Sequence, residues 1–231
     1  MDLQAIRACD ADLIAAAAAA AAENASDLVD GAEVLARSRH GAQACSLAAL
    51  ATEESGKAIG LTALAGMPQS VRARAPLGRM LGWHALKQVT GQLVAVIAVR
   101  PSAIAATLLD LPEDDVDEVL IEAGDDAEEA DRLRRAGMYV DISRAGIRAP
   151  EQVTGAEVAD RLARARQAAA ATTVLQDHRE RALISDPSDN VKALTKSAVD
   201  AITTADQSRR TPKGAAQVID RTVRGLITGT V

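Results

Sequence analysis

Residues 41–66 read GAQACSLAALATEESGKAIGLTALAG. Within them Ala44, Leu47, Ala51, Ala58 and Leu61 recur at three- and four-residue spacings, the repeat of a helix with one buried face. Gly66 and Pro68 mark its end. Just upstream, Ser38 to Gly41 breaks the helical rhythm and lets this helix run back antiparallel to the one before it. That earlier helix holds eight consecutive alanines, Ala15 to Ala22, and continues through Leu28, Ala32 and Leu35. Two long helices over residues 11 to 65 therefore head an all-α fold, an antiparallel helical bundle.

Composition agrees. Of 231 residues 51 are Ala, the best helix former, while Phe is absent and Trp83 and Tyr139 are the only aromatics. Sheets need β-branched and aromatic side chains on their faces, so an all-β fold is excluded. A core filled by small side chains calls for helices that approach closely. The net charge of −6 leaves no protein-wide basic field for a polyanion, and two aromatics cannot stack a row of bases. Any contact with nucleic acid must be local. Cys9 and Cys45 form no C-x-x-C pair, which argues against a disulfide scaffold or zinc knuckle and suits a reducing compartment. The apolar run Leu13 to Ala22 is too short to span a bilayer, and Asp10 and Asp12 stand where a secretion signal would be basic. The expectation is a cytoplasmic chain with no membrane partner.

Further along, Pro76 can start a third helix that runs to about Val99. Charge then segregates. From Gly66 to Arg100 there are five basic residues (Arg72, Arg74, Arg79, Lys87 and Arg100) and no carboxylate. From Asp110 to Asp131 there are twelve acidic residues and no Lys or Arg. Glu113, Asp114 and Asp115 after Pro112 suit the positive end of a solvated helix. A calcium loop is a poor fit, because no Gly follows an alternating Asp pattern. Gly137 to Pro150 interrupts the helices with a β-prone Met138 to Ile142 and a turn, a small β-hairpin near 138–150 with Tyr139 as its anchor. Thr154 and Glu157 form a capping box that opens a helix to about Leu183. Asp186-Pro187 and Thr211-Pro212 start two short helices. The expected organisation is a helical domain over 1–183 and a C-terminal helical extension over 184–231.

The chemistry-bearing residues are few. There is no H-E-x-x-H, no G-x-x-x-x-G-K-[ST] and no G-x-G-x-x-G, and none of His40, His84 and His178 follows a Glu by three residues. No cofactor or metal is implied. On the second helix Glu53 and Lys57 are four apart, the order of an exposed ion pair. Glu54 falls on the apolar stripe, where a carboxylate must find a donor, so it is either half of a structural ion pair or part of a site with Lys57. On the third helix Arg79 is followed after four residues by His84, with Lys87 and Gln88 a turn further on the same face. An imidazole, which titrates near neutrality, beside a guanidinium suits metal-free RNA cleavage: His moves the proton of the 2′-hydroxyl and Arg stabilises the charged phosphorane.

Three ordered motifs carry a resemblance. Asn24-Ala25, Leu28, Asp30, Ala32, Leu35, Gly41, Ala44, Leu47 and Ala48, closing with the A-x-E-E-x-G-K of Ala51 to Lys57, resemble the AbiV-type abortive infection proteins. His84-Ala85-Leu86-Lys87 fits that family's H-x-x-K, and Leu133 to Asp141 with Gly146, Pro150 and Val153-Thr154 fits a third segment. The likeness spans roughly residues 24 to 170. It implies a HEPN-like helical domain acting in phage defence by arresting the host cell. Many members of the HEPN class are metal-independent ribonucleases that work as homodimers, with an Arg four to six residues before a His. Arg79 and His84 fit that spacing, while Met80 stands where the class usually has a polar residue. The resemblance thus implies Arg79 and His84 as catalytic, RNA as substrate, a homodimer, and a phage-encoded protein as possible trigger; Glu54, Lys57 and Lys87 join the catalytic candidates from their positions on the second and third helices. The alternative is a non-catalytic module that binds a phage or host protein through the same face. A helical ligand-binding regulator is a third option, without the basic recognition helix it would need.

Overall fold

The computed structural model describes residues 10–66, 82–98, 113–138, 141–143, 146–148 and 153–182. The start of the third helix with Arg79, Tyr139 and its neighbour at 140, residues 144–145 of the expected turn, and the expected extension over 184–231 lie outside the described residues.

The described part is built of five helices. The first, α1, is Ala11–Arg37; the Asp10 carboxylate caps it by accepting a hydrogen bond from the Leu13 amide at 2.7 Å. Its inner face is Ile14, Ala18, Ala21, Ala22, Ala25, Val29 and Ala32, small side chains for most of its length. Beyond the last turn Arg39 takes the left-handed conformation with φ 63°, and the amides of Arg39 and His40 donate to the carbonyls of Ala36 and Leu35 at 3.1 and 2.9 Å. This closing turn reverses the chain into α2, Gly41–Gly66. The expected break between the two helices is there.

Helix α2 is the centre of the described part. It packs against α1, α3 (His84–Ala98), α4 (Glu113–Met138) and α5 (Gly155–Ala182). Burial consequently runs round much of its circumference and takes in Ser46, Thr52, Glu53 and Ser55 as well as Ala44, Ala48, Ala51, Ala58 and Leu61. A single buried stripe was expected, and the four-sided packing overturns it. Glycine permits the closeness: a Cβ on Gly137 of α4 would overlap the Ala42 carbonyl and the Ser46 hydroxyl of α2.

On α4, Ala123, Ala127, Ala130 and Leu133 form a buried face, so the acidic helix is docked along its second half. Asp126 on its flank is held by Arg164 of α5, and Arg161 donates to the Asp126 carbonyl at 3.3 Å. Burial nevertheless pushes the Asp126 carboxyl above its usual value, against the pull of Arg164 and Arg161. Helix α5 opens with the expected capping box: the Thr154 amide donates to Glu157 Oε2 at 2.7 Å, and the Glu157 amide donates to Thr154 Oγ1 at 3.2 Å. Arg166 reaches across from α5 to Glu33 of α1 at 2.7 Å. Between α4 and α5, β1 (Asp141–Ser143) pairs antiparallel with β2 (Gly146–Arg148), Ile142 opposite Ile147. No helix among the described residues is long and apolar enough to cross a membrane.

Candidate functional site

Helices α2 and α3 meet where neither has a side chain. A Cβ on Gly56 would overlap the Lys87 carbonyl, and one on Gly91 would overlap the Thr52 carbonyl. Contact this close between backbones brings short side chains from one helix within hydrogen-bond distance of the other. Gln88 is buried here and donates from Nε2 to the Ala49 carbonyl at 3.2 Å.

One turn away lies Glu53, its side chain only 6% exposed. Its Oε1 receives two donors from α3: Nδ1 of His84 at 2.6 Å and Nζ of Lys87 at 2.7 Å. Glu53 Oε2 is buried without a partner among the described residues. Lys87 is as enclosed as Glu53, at 9% side-chain exposure, whereas the His84 side chain is 64% exposed. The result is an ion pair sealed between two helices, with an imidazole tied to it by one nitrogen and its other nitrogen on a ring open to solvent. An ionised carboxylate can only accept, so the hydrogen in the His84–Glu53 bond is carried by Nδ1. Trp83, 5% exposed, immediately precedes His84 and pins the start of α3 into the bundle.

The sequence-based assignments divide against this geometry. His84 and Lys87 come together, but on Glu53, which was expected to be the exposed partner of Lys57. Lys57 instead pairs with Glu54, Nζ to Oε2 at 2.9 Å and to Oε1 at 3.2 Å, with side-chain exposures of 23% and 18%. That bond supplies the donor that Glu54 requires, in a local ion pair within α2. Lys87 belongs by sequence to the basic block from Gly66 to Arg100, and its burial removes its charge from the surface. Arg79 lies outside the described residues. Glu53 was missed because the apolar stripe was drawn through Ala51 and Ala58, which turns residue 53 outward. The available signal was Gly56, one turn on, marking a close neighbour on that side.

Among the described residues no group of three or more His, Cys, Asp and Glu could hold a metal ion. The one cysteine described, Cys45, is buried in the core, which pushes its thiol up to about 11. A protein-family model described as AbiV, of the HEPN type, matches residues 13–170. No curated protein and no solved structure matches the chain.

Proposed function

Because the chain belongs to the AbiV family of HEPN proteins, we propose that it is an abortive-infection protein that arrests the infected cell by cleaving RNA without a metal ion. His84 is the acid/base. Its outward Nε2 takes the 2′-hydroxyl proton, the 2′-oxygen attacks the adjacent phosphorus, and the 5′-oxygen departs with the proton that His84 gives back, leaving a 2′,3′-cyclic phosphate and a 5′-hydroxyl. Arg79, at the spacing the family likeness implies, stabilises the charge on the phosphorane, and Arg72, Arg74 and Arg100 hold the backbone locally. His84 and Arg79 line a groove for RNA formed between two copies of the chain, so light scattering should give twice the chain mass. The working unit is the domain over 1–183, which carries the hairpin, and the extension over 184–231 is appended to it.

One observation carries this reading: an exposed imidazole held on a buried carboxylate at 2.6 Å, the arrangement that leaves one ring nitrogen free to exchange protons. The test is cleavage of RNA by the purified protein in excess EDTA. The wild type should cleave and leave cyclic phosphate ends, and His84→Ala should be inactive with its melting temperature nearly unchanged. Loss of cleavage on chelation refutes the mechanism.

The net charge of −6 and the enclosure of Lys87 favour a second reading, a module that binds a phage or host protein through this face. Growth arrest on overexpression that survives His84→Ala would establish it against the first.

A further inference from the structure

We infer that Glu53 is a positioning residue for His84, fixing the imidazole with its proton on Nδ1 and Nε2 bare, and that Lys87 is the counter-ion of Glu53 and not a ligand for phosphate. What this does for RNA cleavage rests on the reading above; the tautomer does not.

A neutral imidazole free in water carries its proton mostly on Nε2, the wrong arrangement for a base that faces outward through that atom. The tautomer in a protein is set by the bond the other nitrogen makes. Here that bond is to Glu53 Oε1 at 2.6 Å, short even for a charge-assisted contact. Glu53 is well suited to impose it. Its side chain is 6% exposed, it sits on the central helix, and its partners stand across a crossing closed by Gly56 and Gly91, so it has little room to turn. With Oε2 unpartnered among the described residues, the bonding seen for Glu53 is concentrated on the oxygen that faces His84.

A buried carboxylate needs a compensating charge, and Lys87 supplies it at 2.7 Å on that same oxygen. For Lys87 to reach a phosphate it would have to leave Glu53 as a bare buried charge. Its burial therefore points inward, and the cationic surface next to His84 is one charge smaller than the sequence suggests.

Long-range 1H–15N spectra of the full chain, recorded where the imidazoles are neutral and assigned with His40→Gln and His178→Gln, report the tautomer directly. Wild-type His84 should show the Nδ1–H form. Glu53→Ala should convert it to Nε2–H and lower kcat for RNA cleavage by roughly a hundredfold, with KM little changed. Glu53→Gln keeps an acceptor oxygen and should retain the Nδ1–H form, with a smaller loss of rate. An Nε2–H wild type, or a tautomer indifferent to Glu53→Ala, overturns the inference; the wild-type spectrum decides this even where Glu53→Ala fails to fold. An Nδ1–H wild type that cleaves no RNA leaves Glu53 as the positioning residue and removes the ribonuclease reading alone. For Lys87, the neutral pair Glu53→Gln/Lys87→Gln avoids a bare buried charge. Its RNA affinity should keep the salt dependence of the wild type, in which Lys87 is tied to Glu53, and a slope of log Kd against log salt reduced by about one would make Lys87 a phosphate ligand after all.

Discussion

Replacing Gly56 by alanine should pull the site apart while adding only one methyl group. In place of the glycine hydrogen the new Cβ would overlap the Lys87 carbonyl oxygen, lie 2.7 Å from the Lys87 carbonyl carbon and 3.0 Å from the Gly91 amide nitrogen. All are backbone atoms of a packed helix and cannot rotate away. Ordinary contact between carbons needs about 3.5 Å, so α2 and α3 must separate by roughly an ångström. Overpacking of this kind costs about 1–3 kcal/mol, and rigid backbone puts Gly56→Ala at the upper end. The better helix propensity of alanine returns about 1 kcal/mol, for a net loss near 2 kcal/mol. In a chain of this size that lowers the melting temperature by about 4–8 °C. The same separation would stretch the 2.6 and 2.7 Å bonds on Glu53 Oε1 past hydrogen-bond length, so the His84 tautomer should change with it. Gly60 is the control. It lies one turn further along the same helix, and a Cβ there meets nothing within 4 Å. Gly60→Ala should therefore stabilise by about 0.5–1 kcal/mol, from propensity alone. Circular dichroism melts of the two variants beside the wild type make the comparison. Gly56→Ala as stable as Gly60→Ala would refute the close crossing of α2 and α3.

The two glutamates should separate in urea unfolding. Lys87→Met leaves Glu53 as an uncompensated buried charge and should cost about 3–5 kcal/mol, whereas Glu54→Gln breaks only a partly exposed pair and should cost under about 1 kcal/mol; equal losses would refute the assignment. Arg39→Gly relieves a left-handed residue and should raise stability by about 0.5 kcal/mol after the added freedom of the unfolded chain is counted, and a destabilised variant would mean the Arg39 side chain holds the turn. Acid should weaken the fold in a defined way. Hydrogen bonds from Arg166, Arg132 and the Thr154 amide hold the carboxyls of Glu33, Glu129 and Glu157 below their usual 4.5, so their contribution is complete above that value and lost as pH falls through the lowered ones. Asp126, raised by burial, acts with the opposite sign, its contribution lost as pH rises through its folded value. Glu157→Gln should flatten the acid limb of a stability-against-pH curve, and an unchanged limb would remove the capping box from that account.

Much of the fold was legible because its signals are local. The turn from α1 into α2 shows as a break in periodicity at Ser38 to Gly41, and the start of α5 shows as Thr154 with Glu157 three residues on. Each depends on groups within a turn of one another, so the chain states them wherever it is folded. The excess of alanine and lack of aromatics likewise committed the chain to closely packed helices before any contact was known. The site was half legible. His84 and Lys87 stand out because histidines are scarce and the surrounding block is free of carboxylates. Which glutamate serves them could not be read from spacing. A stripe rule assumes a helix with one wet side, and α2 is packed by four neighbours, so position 53 is as enclosed as 51 or 58. By itself the sequence determined an alanine-built helical bundle, its caps and the residue types available for chemistry. Only the tertiary structure decided that Glu53, 31 residues before His84, is the carboxylate on its Nδ1, that Lys87 faces inward and that Glu54 belongs to Lys57. The physical reason is that partner choice for a buried charge is settled by which backbones can approach closely, here at Gly56 and Gly91 on two different helices.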